Sequence, residues 1–371
     1  MRPSEALPDA YAAALASVGG ETLPALETVE IAQRRLHPAT IEALRALLQP
    51  VQERLEVALA EFREAPAPVD LEGFHARFVE GAEACVVAVR GFVEPAPPAE
   101  RVPQILRSLR EHCRAQELLY PLRGALPPLA RFFVEPACHD RLDDLDPEPP
   151  AGASVGFHRA GPEADADGRG GFSLYVPERY DAQTAWPLVV ALHGGYGRGS
   201  DFLWTWLREA RSRGFLLLAP TSQATTWALD APAIETRRLV SMVEYVCGRW
   251  NVDRSRMLLT GLSDGATFAL LAGLAADAPF SALAPVSGVL HPANFSNGNL
   301  DRAVGRRIHL VHGALDWLFP VALARIARDA LRDAGADLRY REIEDLSHAY
   351  PREENARILE WLDPSLAIPK T

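Results

Sequence analysis

The residues with the clearest capacity for chemistry in this 371-residue chain form the segment Gly261-Leu-Ser-Asp-Gly265. It follows an apolar run, Met257–Thr260, and precedes a stretch of small residues that begins near Asp264. A Gly-x-Ser-x-Gly turn between a strand and a helix holds its serine in a strained backbone conformation with the hydroxyl exposed. We therefore predict that Ser263 is a nucleophile. The two glycines are needed where strand and helix approach too closely for side chains.

Two further polar residues follow apolar runs that we predict to be strands. Asp316 ends the segment His312-Gly-Ala-Leu-Asp316, and His348 follows the last apolar run of the chain. A serine hydroxyl needs a base to take its proton, and that base needs an acid to fix its tautomer and stabilise its charged form. Ser263, Asp316 and His348 supply these roles, in the chain order Ser–Asp–His.

Neighbouring residues offer alternatives for the acid and the base. Asp264 is a second candidate acid, although it would point along the helix that follows Ser263. His193 and His312 are alternative bases, but each precedes a glycine at a strand end, where a histidine commonly fixes the loop by hydrogen bonding. Asp345 stands close before His348, and we expect it to shape the turn.

Apolar runs alternate with helical patterns in the second part of the chain. Most of these runs are continuously apolar, as expected for parallel strands covered on both faces. The predicted strands are a hairpin at Ser154–Arg159 and Gly171–Val176, then Leu188–Leu192, Phe215–Ala219, Met257–Thr260, Leu283–Val286, Ile308–Val311 and Leu338–Ile343. The predicted helices are Asp201–Arg213, Ala233–Trp250, Asp264–Ala276, Val321–Ala334 and Arg352–Leu362. This order predicts an α/β fold with a doubly wound, mostly parallel sheet, whose carboxyl edge gathers the polar residues.

The first part of the chain has helical periodicity and no strand pattern, so we predict an N-terminal all-helical domain. The predicted helices are Leu23–Arg35, Pro38–Glu64, Leu71–Phe92, Pro103–Leu119 and a short piece at Leu126–Phe133, with residues 1–20 poorly structured or loosely helical. The predicted organisation is a helical bundle at 1–140, an acidic, proline-rich linker at 141–153 and a catalytic domain at 154–371. The bundle's histidines, His37, His75, His112 and His139, are isolated, and no metal site is predicted.

The charge distribution excludes several functions. The net charge is −11, and residues 1–150 contribute −9 of it, from 15 Arg against 24 Asp and Glu. Nucleic acid is therefore not an expected partner. Lys370 is the only lysine, which argues against Schiff-base chemistry and against a phosphate-binding P-loop.

The cysteines and the apolar segments predict the setting. The four cysteines are scattered, which indicates neither a zinc site nor a disulfide framework. No uncharged segment is long enough to span a membrane, and no apolar run follows Met1. We expect a reduced, cytoplasmic setting.

Taken together, the segments His193-Gly-Gly, Gly261–Gly265, His312–Asp316 and Ser347-His-Ala-Tyr-Pro351 resemble the α/β-hydrolase superfamily. The resemblance covers about residues 155–365 and is strongest to the phospholipase/carboxylesterase and feruloyl-esterase-like branches. It implies a serine esterase that cleaves small-molecule carboxylic esters through an acyl-enzyme intermediate, without a cofactor. It also implies an oxyanion hole formed by the backbone N–H groups of Gly195 and Asp264, with Tyr196 as a neighbouring alternative to Gly195.

Three aromatic residues and the helical domain each allow more than one interpretation. Tyr196, Trp227 and Trp317 are candidates for the substrate pocket, although an aromatic residue is more often part of the packing. The alternative functions are a peptidase or thioesterase of the same fold, or a catalytically inactive binding module. The helical domain has two plausible uses, a cap over Ser263 or a surface for self-association as a homodimer.

Overall fold

The computed structural model describes residues 8–148, 152–161 and 169–368. The chain divides into two compact units, Met1–Phe133 and Val134–Thr371. The sequence places this division later, at residue 140. Parts of three sequence predictions lie outside the described residues: the start of the N-terminal segment, residues 149–151 of the linker and residues 162–168 of the hairpin loop.

The first unit is helical. Its helices are α1 (Asp9–Arg34), α2 (Ile41–Glu64), α3 (Glu72–Val93), α4 (Pro98–Leu119) and α5 (Pro127–Phe132). Proline-containing segments separate α2 from α3 and α3 from α4, because proline lacks the N–H that would continue a helix. Leu26 of α1, Leu48 of α2, Val89 of α3 and Leu119 of α4 are fully buried and contribute to its core.

Helix α1 begins well before the predicted start at Leu23. Tyr11, Leu15 and Val18 are buried at spacings of three and four residues, so one face of the helix already packs from its first turns. The expectation of loose structure up to residue 20 is therefore wrong for the described part of that segment. Alanines between the buried positions obscure the pattern in the sequence.

Residues at the start of the second unit are folded where the sequence predicts a linker. Helix α6 (Leu142–Leu145) lies within the predicted linker, and Leu145 packs with Val134 and Cys138 in a small buried cluster. The Asp146 carboxylate lies 2.9 Å from the guanidinium of Arg211, which is fully buried. These contacts explain why the segment belongs with the second unit.

An eight-stranded sheet forms the centre of the second unit. Its strands are β1 (Gly156–Ala160), β2 (Phe172–Val176), β3 (Trp186–Leu192), β4 (Leu216–Pro220), β5 (Val252–Leu262), β6 (Ala282–Val286), β7 (Arg307–Gly313) and β8 (Asp337–Ile343). Their order across the sheet is β1-β2-β4-β3-β5-β6-β7-β8. The β1–β2 and β2–β4 pairs are antiparallel and the other pairs are parallel. All eight predicted strands are present, and the predicted fold class is confirmed.

The helices of the second unit mostly match the predicted ones. After α6 they are α7 (Gly199–Phe202), α8 (Leu207–Glu209), α9 (Ala233–Cys247), α10 (Asp264–Gly273), α11 (Ala293–Ser296), α12 (Val321–Asp333) and α13 (Glu354–Leu362). The single helix predicted at Asp201–Arg213 is wrong, because that segment is split into α7, α8, a 3-10 turn and a π turn. Trp204, Trp206 and Arg211 are all buried, and these positions cannot share one face of a regular helix.

The sheet positions the candidate site at one edge. Leu188, Leu216, Met257, Leu283 and Ile308 are fully buried in the core that holds the strands together. The carboxyl ends of parallel strands meet at the same edge of such a sheet. Within the described residues, no helix combines the length and the apolar character needed to cross a membrane.

Candidate active site

Ser263 lies in the turn between β5 and α10. Its backbone angles are φ 58° and ψ −121°, a conformation that residues other than glycine rarely adopt. The Ser263 N–H donates to Val286 O at 3.0 Å, and Ser263 O accepts from Thr267 N at 2.9 Å. The strained turn is therefore held from both sides, by the end of β6 and by the first turn of α10, and Ser263 remains partly exposed.

The two glycines of this turn are required by close backbone contacts. A Cβ on Gly261 would lie 2.6 Å from the carbonyl carbon of Gly265. A Cβ on Gly265 would lie 2.4 Å from His193 O and 2.5 Å from Leu192 O, at the end of β3. The structure thus confirms the predicted reason for these glycines and identifies β3 as a further element that approaches the turn.

Ser263, His348 and Asp316 come together from three strand ends. His348 Nε2 lies 2.9 Å from Ser263 Oγ, and His348 Nδ1 lies 2.8 Å from Asp316 Oδ2. A carboxylate only accepts, so Nδ1 carries the proton and Nε2 has a lone pair directed at the serine hydroxyl. The three predicted residues form one continuous hydrogen-bonded chain.

The loops after β7 and β8 hold Asp316 and His348 in register. Asp316 Oδ1 accepts from Leu318 N at 3.0 Å and from Phe319 N at 2.7 Å. Leu315 N donates to Leu346 O at 2.9 Å, which joins the loop of the aspartate to the loop of the histidine. Oδ1 is thus occupied by backbone donors, which leaves Oδ2 directed at His348.

The loop after β3 lies beside the Ser263 turn. A Cβ on Gly194 would be 3.4 Å from Ser263 Cβ. The N–H of Tyr196 already donates to Thr225 O at 2.6 Å. In the part of the chain that the structure describes, the N–H groups of Gly195 and Asp264 make no hydrogen bond to the protein. Gly195 and Asp264, rather than Tyr196, therefore remain as available donors next to the serine.

His193, an alternative base in the sequence, has a different environment. Its Nε2 accepts from Ser222 N at 3.0 Å, so the proton resides on Nδ1, 2.7 Å from Gly194 O. Burial lowers the pKa of His193 to about 4, which Arg169 lowers further and the bond to Gly194 O opposes. His193 is a neutral residue that fixes the loop after β3.

The three residues proposed for the pocket have different positions. Tyr196 is 72% exposed and Trp317 is 39% exposed, each in a loop that carries a site residue. Trp227 is buried, stacks on Phe268 with ring centroids 4.9 Å apart, and donates its indole N–H to His193 O. Both its ring and its polar atom are thus engaged in the core, and a role for Trp227 in the substrate pocket stays a prediction.

The contacts that hold the loop after β4 were not foreseen from the sequence. Thr226 Oγ1 donates to Asp264 Oδ2 at 2.5 Å, so the Asp264 carboxylate is engaged with this loop and not with His348. The buried Glu235 accepts from the N–H groups of Gln223 and Ala228. Acidic residues are common in the first turn of a helix, so the sequence could not single out Glu235 as the residue that holds this loop.

Metal ligation has no support within residues 8–148, 152–161 and 169–368. No group of three or more His, Cys, Asp or Glu side chains in these residues is placed to hold an ion. What the site offers is a serine, a histidine and a carboxylate in hydrogen-bonded series, beside two free backbone donors. This arrangement is suited to nucleophilic attack on a carbonyl carbon.

The second unit has the sheet order and the Ser–Asp–His series that are typical of the α/β-hydrolase fold. Residues 235–366 match the family model described as phospholipase/carboxylesterase, and the matched segment includes Ser263, Asp316 and His348. This match confirms the resemblance to esterases of the α/β-hydrolase superfamily. It supports carboxylic ester hydrolase as the enzyme class.

Individual relatives match a smaller part of the chain. Feruloyl esterase B of Neurospora crassa is 31% identical over 128 residues, 32% of this chain and 43% of the relative. Acetylxylan esterase A of Emericella nidulans is 25% identical over 142 residues, 35% of this chain and 46% of the relative. The chain thus spans less than half the length of these curated relatives. Among solved structures, a thermostable esterase is 21% identical, with a TM-score of 0.46, over 56% of this chain and 62% of its own.

Proposed function

We propose that this chain hydrolyses carboxylic esters, with Ser263 as nucleophile, His348 as general base and Asp316 as the orienting acid. The observation that carries the proposal is the hydrogen-bonded series from Ser263 Oγ to His348 Nε2, at 2.9 Å, and from His348 Nδ1 to Asp316 Oδ2, at 2.8 Å. Such a series converts a weakly acidic hydroxyl into a nucleophile.

The reaction proceeds in two similar halves. Ser263 Oγ attacks the ester carbonyl carbon while His348 Nε2 takes the hydroxyl proton. The tetrahedral intermediate then expels the alcohol, which receives that proton from His348, and leaves an acyl group on Ser263. Water, deprotonated by His348, attacks the acyl-enzyme. The acyl–Oγ bond then breaks, the carboxylic acid is released, and Ser263 Oγ takes the proton back from His348. Asp316 stabilises the imidazolium in both halves.

The N–H groups of Gly195 and Asp264 are the proposed oxyanion hole. Both belong to segments that flank Ser263, and the N–H of Asp264 is also the first of helix α10, where negative charge is favoured. Donors placed where charge develops lower the barrier by about 3–4 kcal/mol each.

The names of the two relatives suggest which acyl groups to test first. Those relatives are a feruloyl esterase and an acetylxylan esterase. A panel of p-nitrophenyl acetate, longer acyl esters and a feruloyl ester distinguishes small from aromatic acyl groups. The partly exposed Tyr196 and Trp317 are the proposed aromatic contacts for the substrate.

The test is Ser263→Ala combined with labelling by an organophosphonate. We expect kcat to fall by about 10⁴-fold or more, because the attacking oxygen is removed. The wild type should take up one phosphonate label, on Ser263.

Ser287 supplies a matched control. It also follows a strand end, has φ 51°, and is fully buried without contact to His348 in the described structure. Ser287→Ala should keep the label and the activity. Labelling at another residue, or a Ser263→Ala activity within tenfold of the wild type, would contradict the proposal, and a wild type that neither labels nor cleaves esters would favour a binding module.

A further inference from the structure

A second histidine lies behind the loop of the candidate acid. His312, on β7, is fully buried, and its Nε2 lies 2.8 Å from Phe319 O. The same nitrogen lies 3.5 Å from Asp316 Oδ2. Because a carbonyl oxygen only accepts, Nε2 must carry a proton and donate it to Phe319. His312 thus ties the end of β7 to the far side of the Asp316 loop.

Phe319 connects His312 to both Asp316 and His348. The Phe319 N–H donates to Asp316 Oδ1 at 2.7 Å. Its ring packs edge-on against the His348 imidazole, with centroids 5.2 Å apart and an interplanar angle of 87°. A shift of Phe319 would therefore move both the N–H that donates to Asp316 and the ring that packs against His348.

The surroundings of His312 favour its neutral form. Burial lowers its pKa below the ordinary value, and His348 acts in the same direction. The bond to Phe319 O and the charges of Asp316 and Glu342 oppose this lowering. A neutral His312 donates one hydrogen bond to the loop and does not attract the Asp316 carboxylate away from His348. A charged His312 would compete with His348 for that carboxylate.

We propose that His312 is a positioning residue, which as a neutral Nε2–H donor to Phe319 O holds Asp316 in its orientation towards His348. It does not touch the reacting atoms, because its Nε2 faces the loop and the candidate nucleophile bonds to His348. The inference rests on the proposed ester hydrolysis for its kinetic consequences only.

Two substitutions of nearly equal shape separate the hydrogen bond from packing. His312→Met removes the donor, and His312→Gln restores an N–H donor on a side chain of similar length. We expect His312→Met to lower kcat by about 10- to 100-fold with KM little changed, because misplacing a catalytic group by about 1 Å costs this much. His312→Gln should recover most of that loss.

His309 provides the matched control on the same strand. It is also buried, its pKa is lowered to about 4 by burial, and its ring packs edge-on against Trp361. His309→Met should lower stability without lowering kcat by more than about threefold, because none of its described contacts leads to the Asp316 loop.

A spectroscopic readout makes the test independent of ester turnover. The Nδ1 proton of His348, bonded to Asp316, should give a downfield proton resonance in the full chain, assigned by its loss in Asp316→Asn. We expect this resonance to disappear in His312→Met and to persist in His312→Gln and His309→Met. Tryptophan fluorescence verifies that each variant is folded.

Three outcomes would overturn the inference. The first is a folded His312→Met protein that keeps both kcat and the resonance, and the second is a His312→Gln protein as defective as His312→Met. The third applies if His312→Met does not fold: it is a folded His312→Gln protein that lacks the resonance. If the wild type cleaves no ester and takes no phosphonate label while the resonance still follows the donor at position 312, the proposed function fails and the positioning role stands.

Discussion

Buried polar side chains serve different purposes in the two units. In the helical unit, His112 Nε2 donates to Leu26 O of α1 at 3.1 Å and its Nδ1 accepts from Gln116 on the same helix, so both ring nitrogens have partners. In the sheet unit, Ser263 and His348 direct their polar atoms at each other in a partly exposed turn. The first arrangement stabilises packing, while the second keeps reactive groups available.

Backbone strain follows the same division. The non-glycine residues with positive φ in the described chain are Tyr196, Ser263 and Ser287, at 61°, 58° and 51°. Each lies just beyond the carboxyl end of a strand in the sheet unit. Such conformations cost about 1–3 kcal/mol each and persist where surrounding structure imposes them. The contrast teaches that this chain concentrates strain and polarity at one edge of one unit.

The largest effect should come from Asp316→Asn. An amide in place of the carboxylate favours the wrong tautomer of His348, and we expect kcat to fall by about 10⁴-fold. Hydrolysis of p-nitrophenyl acetate measures the change. Asp345→Asn, in the exposed turn before His348, is the control and should remain within a few-fold of the wild type. The reverse pattern would assign the acid to Asp345.

Glycine substitutions should change the stability of the two units in opposite directions. Gly265→Ala places a Cβ 2.4 Å from His193 O, and we expect a loss of about 3 kcal/mol or more, or no folded protein. Gly73→Ala, in α3, meets no atom within 4 Å and should stabilise its helix by about 0.5–1 kcal/mol.

The tryptophans make this comparison measurable. All seven lie between Trp186 and Trp361, so their fluorescence during urea unfolding reports the sheet unit. Far-ultraviolet circular dichroism reports the helices of both units. A Gly265→Ala protein with an unchanged fluorescence transition would show that strand and helix can separate at the turn without cost.

Features that depend on short segments of the chain could be predicted from the sequence. Ser263, Asp316 and His348 each follow a strand, and strand ends are recognisable from apolar runs. The burial of Trp227 could not be predicted in this way, because its loop is held by Glu235 and by Asp264, which bonds to Thr226 from 38 positions later in the chain.

The extent of the sheet unit escaped prediction for a similar reason. An acidic, proline-containing segment is typical of a linker, yet Asp146 pairs with the buried Arg211, which is 65 positions later in the chain. No local pattern indicates such a pairing. The break in the helix predicted at Asp201–Arg213 has the same origin, because Arg211 is buried where it pairs with Asp146.

Acid should weaken the sheet unit through His193. Its pKa is lowered to about 4 in the folded state, so between about pH 6.5 and pH 4 the unfolded chain binds a proton that the folded chain does not. Stability is thus complete above pH 6.5 and falls as the pH drops, by about 3 kcal/mol between pH 7 and pH 4 from this group.

His193→Gln tests this assignment, since its side-chain oxygen can still accept from Ser222 N. Urea unfolding followed by tryptophan fluorescence at pH 7 and pH 4 should show a smaller loss in the variant than in the wild type. Equal losses in the two proteins would assign the acid sensitivity to other groups, of which His309 is the next to test.

His112→Leu is the corresponding change in the helical unit. It removes the hydrogen bonds from His112 Nε2 to Leu26 O and from Gln116 Nε2 to His112 Nδ1, and we expect a loss of about 1–3 kcal/mol in the free energy of unfolding. The loss should appear in circular dichroism and not in the fluorescence transition, with kcat unchanged. A fall in kcat would mean that the two units are coupled energetically.

The smallest expected effect, and the most informative about the helical unit, comes from removing residues 1–133. Asp146 pairs with Arg211 and Leu145 is buried, so a truncation at residue 150 would leave a buried cation short of a partner. We expect the shorter truncation to fold and to change the ratio of kcat/KM for long and short acyl esters by a few-fold, because we hypothesise that the helical unit acts as a cap. An unchanged ratio, with a shift from dimer to monomer on a sizing column, would instead make that unit an assembly domain.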